Sequence, residues 1–334
     1  MTKALAKQSL SGIIGPPFDE LDINEYISRV GRGESALASS EKGNKIREQS
    51  FLGTTAMNAA FALALNPLFT RYADTHDGWG SAYRDFAFKL PFLKPLLSND
   101  MSDSPYDGGH ENSDHGKLVV FNHPSMVEPA LSGIWAAKRY PDKKITLPAD
   151  INIFEPLAKW HDKLEKGWIN LLPVISVPML DKLGGTSEMS ILQKKMEYHY
   201  MSQAVNELSA GQSVVVSLTG PSAGHQYIFN DEAQYNGEGE KIIRPVGTLL
   251  GKLKKNGANL DNIDIIPHAY AVPPGVKNFV YNGKKYDRYI GKVETAANVV
   301  EQAGRIENVD HHLRRVMTDE TGLPPEYSFP RDLT

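Results

Sequence analysis

Short apolar runs alternate with amphipathic segments between residues 115 and 300, and this alternation predicts strands and helices in turn. Runs of four to eight residues rich in valine and isoleucine are typical of buried strands. Strands are predicted in KLVVFN, KITLPA, SVVVSLT and NIDIIPHAYAV, and the apolar run WINLLPVISVPM has strand character at its end. Strands separated by helices favour an α/β fold with a mainly parallel, mixed sheet flanked by helices.

Helical periodicity occupies the segments between these strands. Pro124 and Pro245 suit the first turns of two helices, and Gly211 suits the end of the longest one. The apolar side of that long helix is predicted to contain Ile191, Leu192, Met196, Val205 and Leu208.

The pattern divides the chain into four parts. Residues 1–50 are predicted to be an N-terminal extension, residues 51–114 a helical N-terminal region, residues 115–300 the α/β domain and residues 301–334 a C-terminal tail. The apolar segment 51–69 contains threonines, asparagines and Pro67, whereas a spanning helix needs about 20 predominantly apolar residues. We expect a buried or interfacial helix there, and therefore a cytoplasmic protein with at most peripheral membrane contact.

Composition narrows the chemistry. The 334 residues include no cysteine, which excludes disulfides, thiolate catalysis and cysteine-ligated zinc. The net charge of −4 gives no reason to expect nucleic acid as a partner. The histidines of HENSDH, residues 110–115, lie in an acidic polar loop without a third ligand, so no metal is expected. The DHHLRR segment near the C-terminus is interpreted as a solvated helix face.

The segment Gly220-Pro221-Ser222-Ala223-Gly224 fits G-x-S-x-G, the nucleophile elbow of serine hydrolases. An elbow needs a helix directly after the serine, but HQYIFNDEAQYNGEGEK lacks helical periodicity, and no HGGG-type segment precedes it. The remaining triad members, Asp264 and His268, lie on one predicted strand. The segment is therefore interpreted as a glycine-rich loop after a strand, with a serine hydrolase kept as an alternative.

A second candidate site is VVFNHPSMVEPAL, where His123 follows a strand and Pro124 begins a helix. A histidine just outside the helix can fold over the first turn, and Glu128 projects from the second turn. The carboxylate can then orient the imidazole and leave its other nitrogen as a base. The same spacing also fits a histidine that caps the helix beside an incidental glutamate.

FNHPSMVEPAL resembles the first signature block of the glycerolipid acyltransferase family, Asn-His-x4-Asp followed by Pro. Asn122, His123 and Pro129 match this block, and Glu128 stands where aspartate is usual. Glutamate keeps the charge and adds one methylene, and related acyltransferases use it.

Later segments resemble the remaining blocks in order, so the resemblance covers roughly residues 115–295. WINLLPVISVPMLDK is similar to the second block, a strand ending near a basic residue, with Lys182 in place of the usual arginine. TGPSAGHQ is similar to the third block of the soluble, chloroplast-type glycerol-3-phosphate acyltransferases. IDIIPHAYAVPPG and RYIGKVE are similar to the fourth block and to the short strand that follows it.

The resemblance implies acyl transfer from an acyl-carrier-protein or coenzyme A thioester to a hydroxyl or amine, with no acyl-enzyme and no cofactor. His123 is implied as the base and Glu128 as its partner. A non-catalytic lipid- or carrier-binding relative is a further alternative. Substrate contacts are implied for Asn122, Ser125, Lys182, Thr219, Gly220, Ser222, Gly224, His225 and Tyr227.

The acceptor is expected to lack a phosphate at the third block. In the chloroplast-type enzymes two arginines of this block hold the phosphate of glycerol 3-phosphate, and His225 and Tyr227 occupy those positions here. Arginine supplies a permanent charge and a bidentate fork that these side chains do not. A small-molecule or lipid alcohol or amine is therefore expected. If basic residues gather at the site, they would suit an acidic carrier protein or coenzyme A; the candidates are Lys138, Arg139, Lys143, Lys144, Lys241, Arg244, Lys252, Lys254 and Lys255.

Overall fold

A seven-stranded sheet forms the centre of the protein in a computed structural model that describes residues 16–48, 114–122, 128–140, 142–161, 169–218, 244–271 and 287–319. The strand order is β3-β2-β4-β1-β5-β6, and β7 also pairs with β5. Strands β1 to β5 are parallel, whereas β6 and β7 are antiparallel to β5. The strands are β1 (Gly116–Phe121), β2 (Ile145–Asp150), β3 (Ile169–Val174), β4 (Ser213–Ser217), β5 (Ile263–Ala271), β6 (Asp287–Ile290) and β7 (Glu294–Thr295).

Eight α-helices accompany the strands in the described part of the chain, which confirms the α/β class and the mixed, mainly parallel sheet. They are α1 (Ile23–Gly31), α2 (Glu128–Arg139), α3 (Ile151–Leu157), α4 (Val177–Lys182), α5 (Ser187–Ser209), α6 (Pro245–Lys255), α7 (Ala296–Gln302) and α8 (Val309–Asp319).

Helices cover both faces of the sheet. Successive side chains of a strand point to opposite faces, so Leu118 and Val120 lie on one face and Phe121 lies on the other. Leu118 and Val120 of β1 belong to a core cluster with the apolar sides of α5, α6 and α8. Helix α2 packs against β1, β2 and β4. Its Trp135 ring lies 5.2 Å from the ring of His268, whose strand partner is Phe121. Helices α2 and α6 therefore lie on opposite faces.

Two details differ from the sequence-based prediction. The strand in WINLLPVISVPM is its first half, because Ser176 accepts a hydrogen bond from the Met179 N–H and begins α4 there. Lys182 therefore ends a helix rather than a strand. Ile191 is 45% exposed although it was predicted in the apolar side of α5, whereas Leu192 and Met196 are buried as expected. Consecutive helical residues lie about 100° apart around the helix axis, so Ile191 and Leu192 cannot both lie at the centre of one helix face.

The interpretation of DHHLRR as a solvated helix face is wrong for four of its six residues, Leu313 among them. Asp310, His312 and Arg314 of α8 are buried, while His311 and Arg315 are exposed. Helix α8 packs into the core through Val309, Leu313 and Met317, and its Asp310 and Arg314 side chains bond to backbone groups of neighbouring elements.

The described part of the N-terminal extension packs on the α/β domain. Tyr26 of α1 lies in a cluster with residues of α3, α4 and α5, and its hydroxyl donates to the Glu155 carboxylate at 3.2 Å. The Ala36 N–H donates to the same carboxylate at 2.7 Å. Of the predicted helical region 51–114, all but Asp114 lies outside the described residues, including the apolar segment 51–69. No helix within the described ranges is long and apolar enough to cross a membrane.

Candidate active site at the carboxyl edge of the sheet

The two segments selected from the sequence leave the sheet from neighbouring strands. Strands β1 and β4 pair in parallel with Phe121 opposite Ser217. Beyond this pair the Leu218 N–H donates to the Phe121 carbonyl oxygen at 2.7 Å. Asn122 follows directly and is fully buried. The first block therefore begins beside the start of the glycine-rich segment.

The helices that follow β1 and β4 in the chain lie on opposite faces of the sheet. The connection after β1 leads to α2, and the connection after β4 leads to α6 on the other face. In open α/β sheets such a divergence opens a crevice at the carboxyl ends of the strands, and ligands bind in it. The boundary between β1 and β4 is such a position.

Most of the predicted site residues lie outside the described part of the chain. This holds for His123 and Ser125 after β1, and for the glycine-rich segment after Leu218. Glu128 is the first residue of α2. The remaining predicted contacts outside the described ranges are Thr219, Gly220, Ser222, Gly224, His225 and Tyr227.

A buried histidine lies beside β1. From the sequence, this residue was considered only as a member of a serine hydrolase triad. His268 of β5 pairs in register with Phe121, is fully buried and contacts the Trp135 ring. His268 therefore lies on the neighbouring strand, opposite the residue that directly precedes Asn122. A histidine within an apolar strand was the available signal for this residue.

Asp264 is bound elsewhere and does not orient His268. Its carboxylate accepts from Lys117 Nζ at 2.5 Å and contacts His115 Nδ1 at 2.9 Å, at the amino edge of the sheet. His268 lies four positions after Asp264 on β5, which is roughly 13 Å at 3.3 Å per residue. The Asp264–His268 pair of the serine hydrolase alternative therefore does not form.

Two buried charged residues of α8 reach the carboxyl edge, and the sequence analysis missed both. Arg314 donates to the Leu218 carbonyl oxygen at 3.1 Å. Asp310 accepts the Val246 N–H at 3.1 Å and the Gly247 N–H at 2.7 Å, in the first turn of α6. Burial raises the pKa of Asp310 to about 6, although these two N–H groups and Arg244 act in the opposite direction.

Another acid stands at this edge on β2. Asp150 ends the strand, and its carboxylate accepts the Ser176 N–H at 3.2 Å. Burial raises the pKa of this carboxyl group, while hydrogen bonds from Ser176 lower it. Strand β4 lies between Asp150 and the end of β1.

The cationic candidates whose side chains the structure describes do not gather between β1 and β4. Lys182 is exposed at the end of α4, after β3. Strand β3 is three positions from β1, roughly 14 Å at 4.8 Å per strand. Lys143 and Lys144 precede β2, and three lysines end α6, so these five lie toward the amino edge. Arg244, directly before α6, is the basic candidate at the carboxyl edge among the described residues.

Within the described ranges, no group of three or more histidine, aspartate or glutamate side chains is arranged to hold a metal ion. His110 of the HENSDH segment lies outside these ranges. Comparison with models of known protein families and with curated proteins gave no match.

Proposed function

We propose that this protein is an acyltransferase, which moves a fatty acyl group from an acyl-carrier-protein or coenzyme A thioester to a hydroxyl or amine. The acceptor is a small molecule or a lipid, and membrane contact is peripheral at most. His123 is the base, Glu128 orients it, and no cofactor takes part.

The reaction needs no protein nucleophile. His123 removes the proton of the acceptor hydroxyl or amine as the acceptor atom attacks the thioester carbonyl carbon. The tetrahedral intermediate carries its charge on the former carbonyl oxygen, which backbone N–H groups of a glycine-rich loop can stabilise. Collapse breaks the carbon–sulfur bond, and the imidazolium returns its proton to the departing thiolate.

The observation that carries this proposal is the adjacency of the β1 and β4 ends. Leu218 and Phe121 are joined by a hydrogen bond, and the helices that follow the two strands lie on different faces. A base on one connection and N–H donors on the other would thus flank one crevice. The buried Asn122 directly precedes His123, as in the signature block that the segment resembles.

We propose further that the acceptor carries no phosphate at this crevice. A helix N-terminus is a common phosphate site because its first N–H groups are unpaired. In α6 the N–H groups of Val246 and Gly247 already donate to Asp310. The residues aligned with the phosphate-binding arginines are His225 and Tyr227, and histidine is mostly neutral at pH 7 unless perturbed.

The test is a transfer assay with mass detection. The purified full-length chain is incubated with acyl-carrier-protein and coenzyme A thioesters of several chain lengths, each against a panel of alcohols and amines. We expect an acylated acceptor, and a loss of about 10²–10⁴-fold or more in kcat for a folded His123→Ala variant. Near-wild-type turnover by that variant would contradict the mechanism.

Ser222→Ala separates the alternatives. An acyltransferase largely keeps its activity in this variant, because the serine is at most a hydrogen-bond donor. A serine hydrolase releases free fatty acid in place of transfer, and Ser222→Ala abolishes that release. A non-catalytic relative binds the thioester without turnover in the wild type.

The phosphate proposal is tested by competition. Glycerol 3-phosphate and glycerol are offered together, and we expect no preference for the phosphorylated acceptor. Efficient acylation of glycerol 3-phosphate that is lost in Lys182→Ala or Arg244→Ala would show that the phosphate site lies at another position.

A further inference from the structure

Helix α8 contacts both described ends of the connection between β4 and α6. At the first end, Arg314 Nη2 donates to the Leu218 carbonyl oxygen at 3.1 Å. At the second end, the Asp310 carboxylate accepts the N–H groups of Val246 and Gly247. The two charged residues are four positions apart, so they lie on one side of the helix.

These contacts are buried and closely fitted. Arg314 is 1% exposed and Asp310 is 2% exposed. A Cβ atom at Gly247 would lie 3.0 Å from an Asp310 carboxylate oxygen and 2.8 Å from the Ile306 carbonyl oxygen. A glycine in the first turn of α6 therefore permits the approach of the carboxylate.

Leu218 is held through both of its backbone polar groups. Its N–H donates to Phe121 of β1, and its carbonyl oxygen accepts from Arg314 of α8. Hydrogen bonds that involve a buried ionised group are stronger than neutral ones. Because the bonded partners are backbone atoms, this arrangement does not depend on the side chains of the connection.

We propose that Arg314 and Asp310 are positioning residues, which fix the end of β4 and the start of α6 relative to β1 and so hold the two ends of the 219–243 connection for catalysis. The positioning of backbone is independent of the reaction; its consequence for turnover rests on the acyl-transfer function proposed above.

The experiment compares Arg314→Met, Arg314→Lys and Asp310→Asn with two controls on the same helix. Arg315→Met changes the adjacent exposed arginine, and Leu313→Ala weakens the apolar packing of α8 in the core but keeps both buried charged side chains. Residue-resolved amide exchange, Tm, kcat and KM are measured for each full-length variant.

We expect Asp310→Asn to accelerate exchange at Val246 or Gly247 by about tenfold, since an amide offers one acceptor oxygen in place of two. Arg314→Met is expected to reduce kcat at least tenfold with a smaller change in KM for the thioester, and Arg314→Lys to restore part of it. Leu313→Ala is expected to lower Tm while kcat changes little.

Unchanged exchange at Val246 and Gly247 in Asp310→Asn overturns the positioning of α6. A loss of kcat in Arg314→Met no larger than in Leu313→Ala at equal Tm overturns the positioning role in turnover. If the wild type transfers no acyl group to any acceptor, the proposed function fails, and the exchange result alone still decides the positioning.

Discussion

The Lys117 ammonium group lies 2.5 Å from the Asp264 carboxylate, and both side chains are completely buried at the amino edge of the sheet. The two residues are direct partners on the adjacent strands β1 and β5. Their contact joins the strand that leads to His123 to its neighbour, at the opposite edge from the candidate site.

Removal of one member of this pair is expected to destabilise the protein strongly. Lys117→Met leaves a buried carboxylate without its main counter-charge, which costs about 3–5 kcal/mol. The double variant Lys117→Met/Asp264→Leu is expected to recover most of this, since it also removes the carboxylate that Lys117→Met leaves without its counter-charge. Denaturant unfolding measures both, with Lys292→Met as the control: its ion pair with Glu294 is exposed on the lysine side and contributes about 0–1 kcal/mol. Equal stability of the two Lys117 variants would contradict this expectation.

The bond between Tyr26 and Glu155 is expected to hold the N-terminal segment on the domain. Tyr26→Phe keeps the packing of a fully buried ring but removes a donor from a half-buried carboxylate, which costs about 1–3 kcal/mol. Thermal or urea unfolding measures the loss. Tyr198→Phe removes the same hydroxyl from a side chain that is 70% exposed, so it should change stability by less than about 0.5 kcal/mol. A Tyr26→Phe protein as stable as the Tyr198→Phe control would exclude this role.

Asp310 is expected to make stability fall as pH rises from about 4 to about 6. Its folded pKa of about 6 lies above the ordinary carboxyl value of 3.8, so the folded chain binds more protons in this window. The difference between these two pKa values corresponds to roughly 3 kcal/mol of the free energy of unfolding. This contribution is fully present below about pH 4 and is lost above about pH 6. Denaturant unfolding between pH 3.5 and 7.5 compares the wild type with Asp310→Asn. Because Asp150 and Glu155 titrate in both proteins, the difference between the two curves reports Asp310, and parallel curves would contradict the prediction.

Glu128→Gln is expected to reduce acyl transfer less than His123→Ala does. In the proposed mechanism, the amide keeps a hydrogen-bonding group for the imidazole but removes the charge that stabilises the imidazolium. Steady-state kinetics at saturating donor measure the effect. Glu128 also begins α2, where a negative charge stabilises the helix by about 0.3–1 kcal/mol. Glu188→Gln, a loss of charge in the first turn of α5, is the control for this effect. A larger loss in Glu128→Gln than in His123→Ala would reverse the assigned roles.

The local pattern of apolar and polar residues was sufficient to predict the α/β class and most helices and strands, because the formation of these elements depends largely on residues that are neighbours in the chain. Valine-rich runs such as 213–217 are buried strands, and the 3.6-residue period predicted α5 and α6. The end of WINLLPVISVPM was misassigned because one hydrogen bond of Ser176 begins a helix within an apolar run. The burial of Asp310 and Arg314 in DHHLRR was not predicted, because an isolated segment does not show the backbone groups of other elements to which these side chains bond.

Tertiary structure alone decided which segments meet. The order β3-β2-β4-β1-β5 inserts β4 between β1 and β2, so residues that are far apart in sequence, Phe121 and Leu218, share a hydrogen bond. The pairing of β1 with β5 brings Asp264 to Lys117, and Asp264 does not contact His268 farther along its own strand. Helix α8 brings Arg314 to Leu218. The sequence by itself determined which residues are capable of acid–base chemistry and which segments form strands. Which of these residues lie side by side depends on the strand order. The strand order arises because the apolar faces of all helices and strands must be buried together, so no single stretch of chain contains this information.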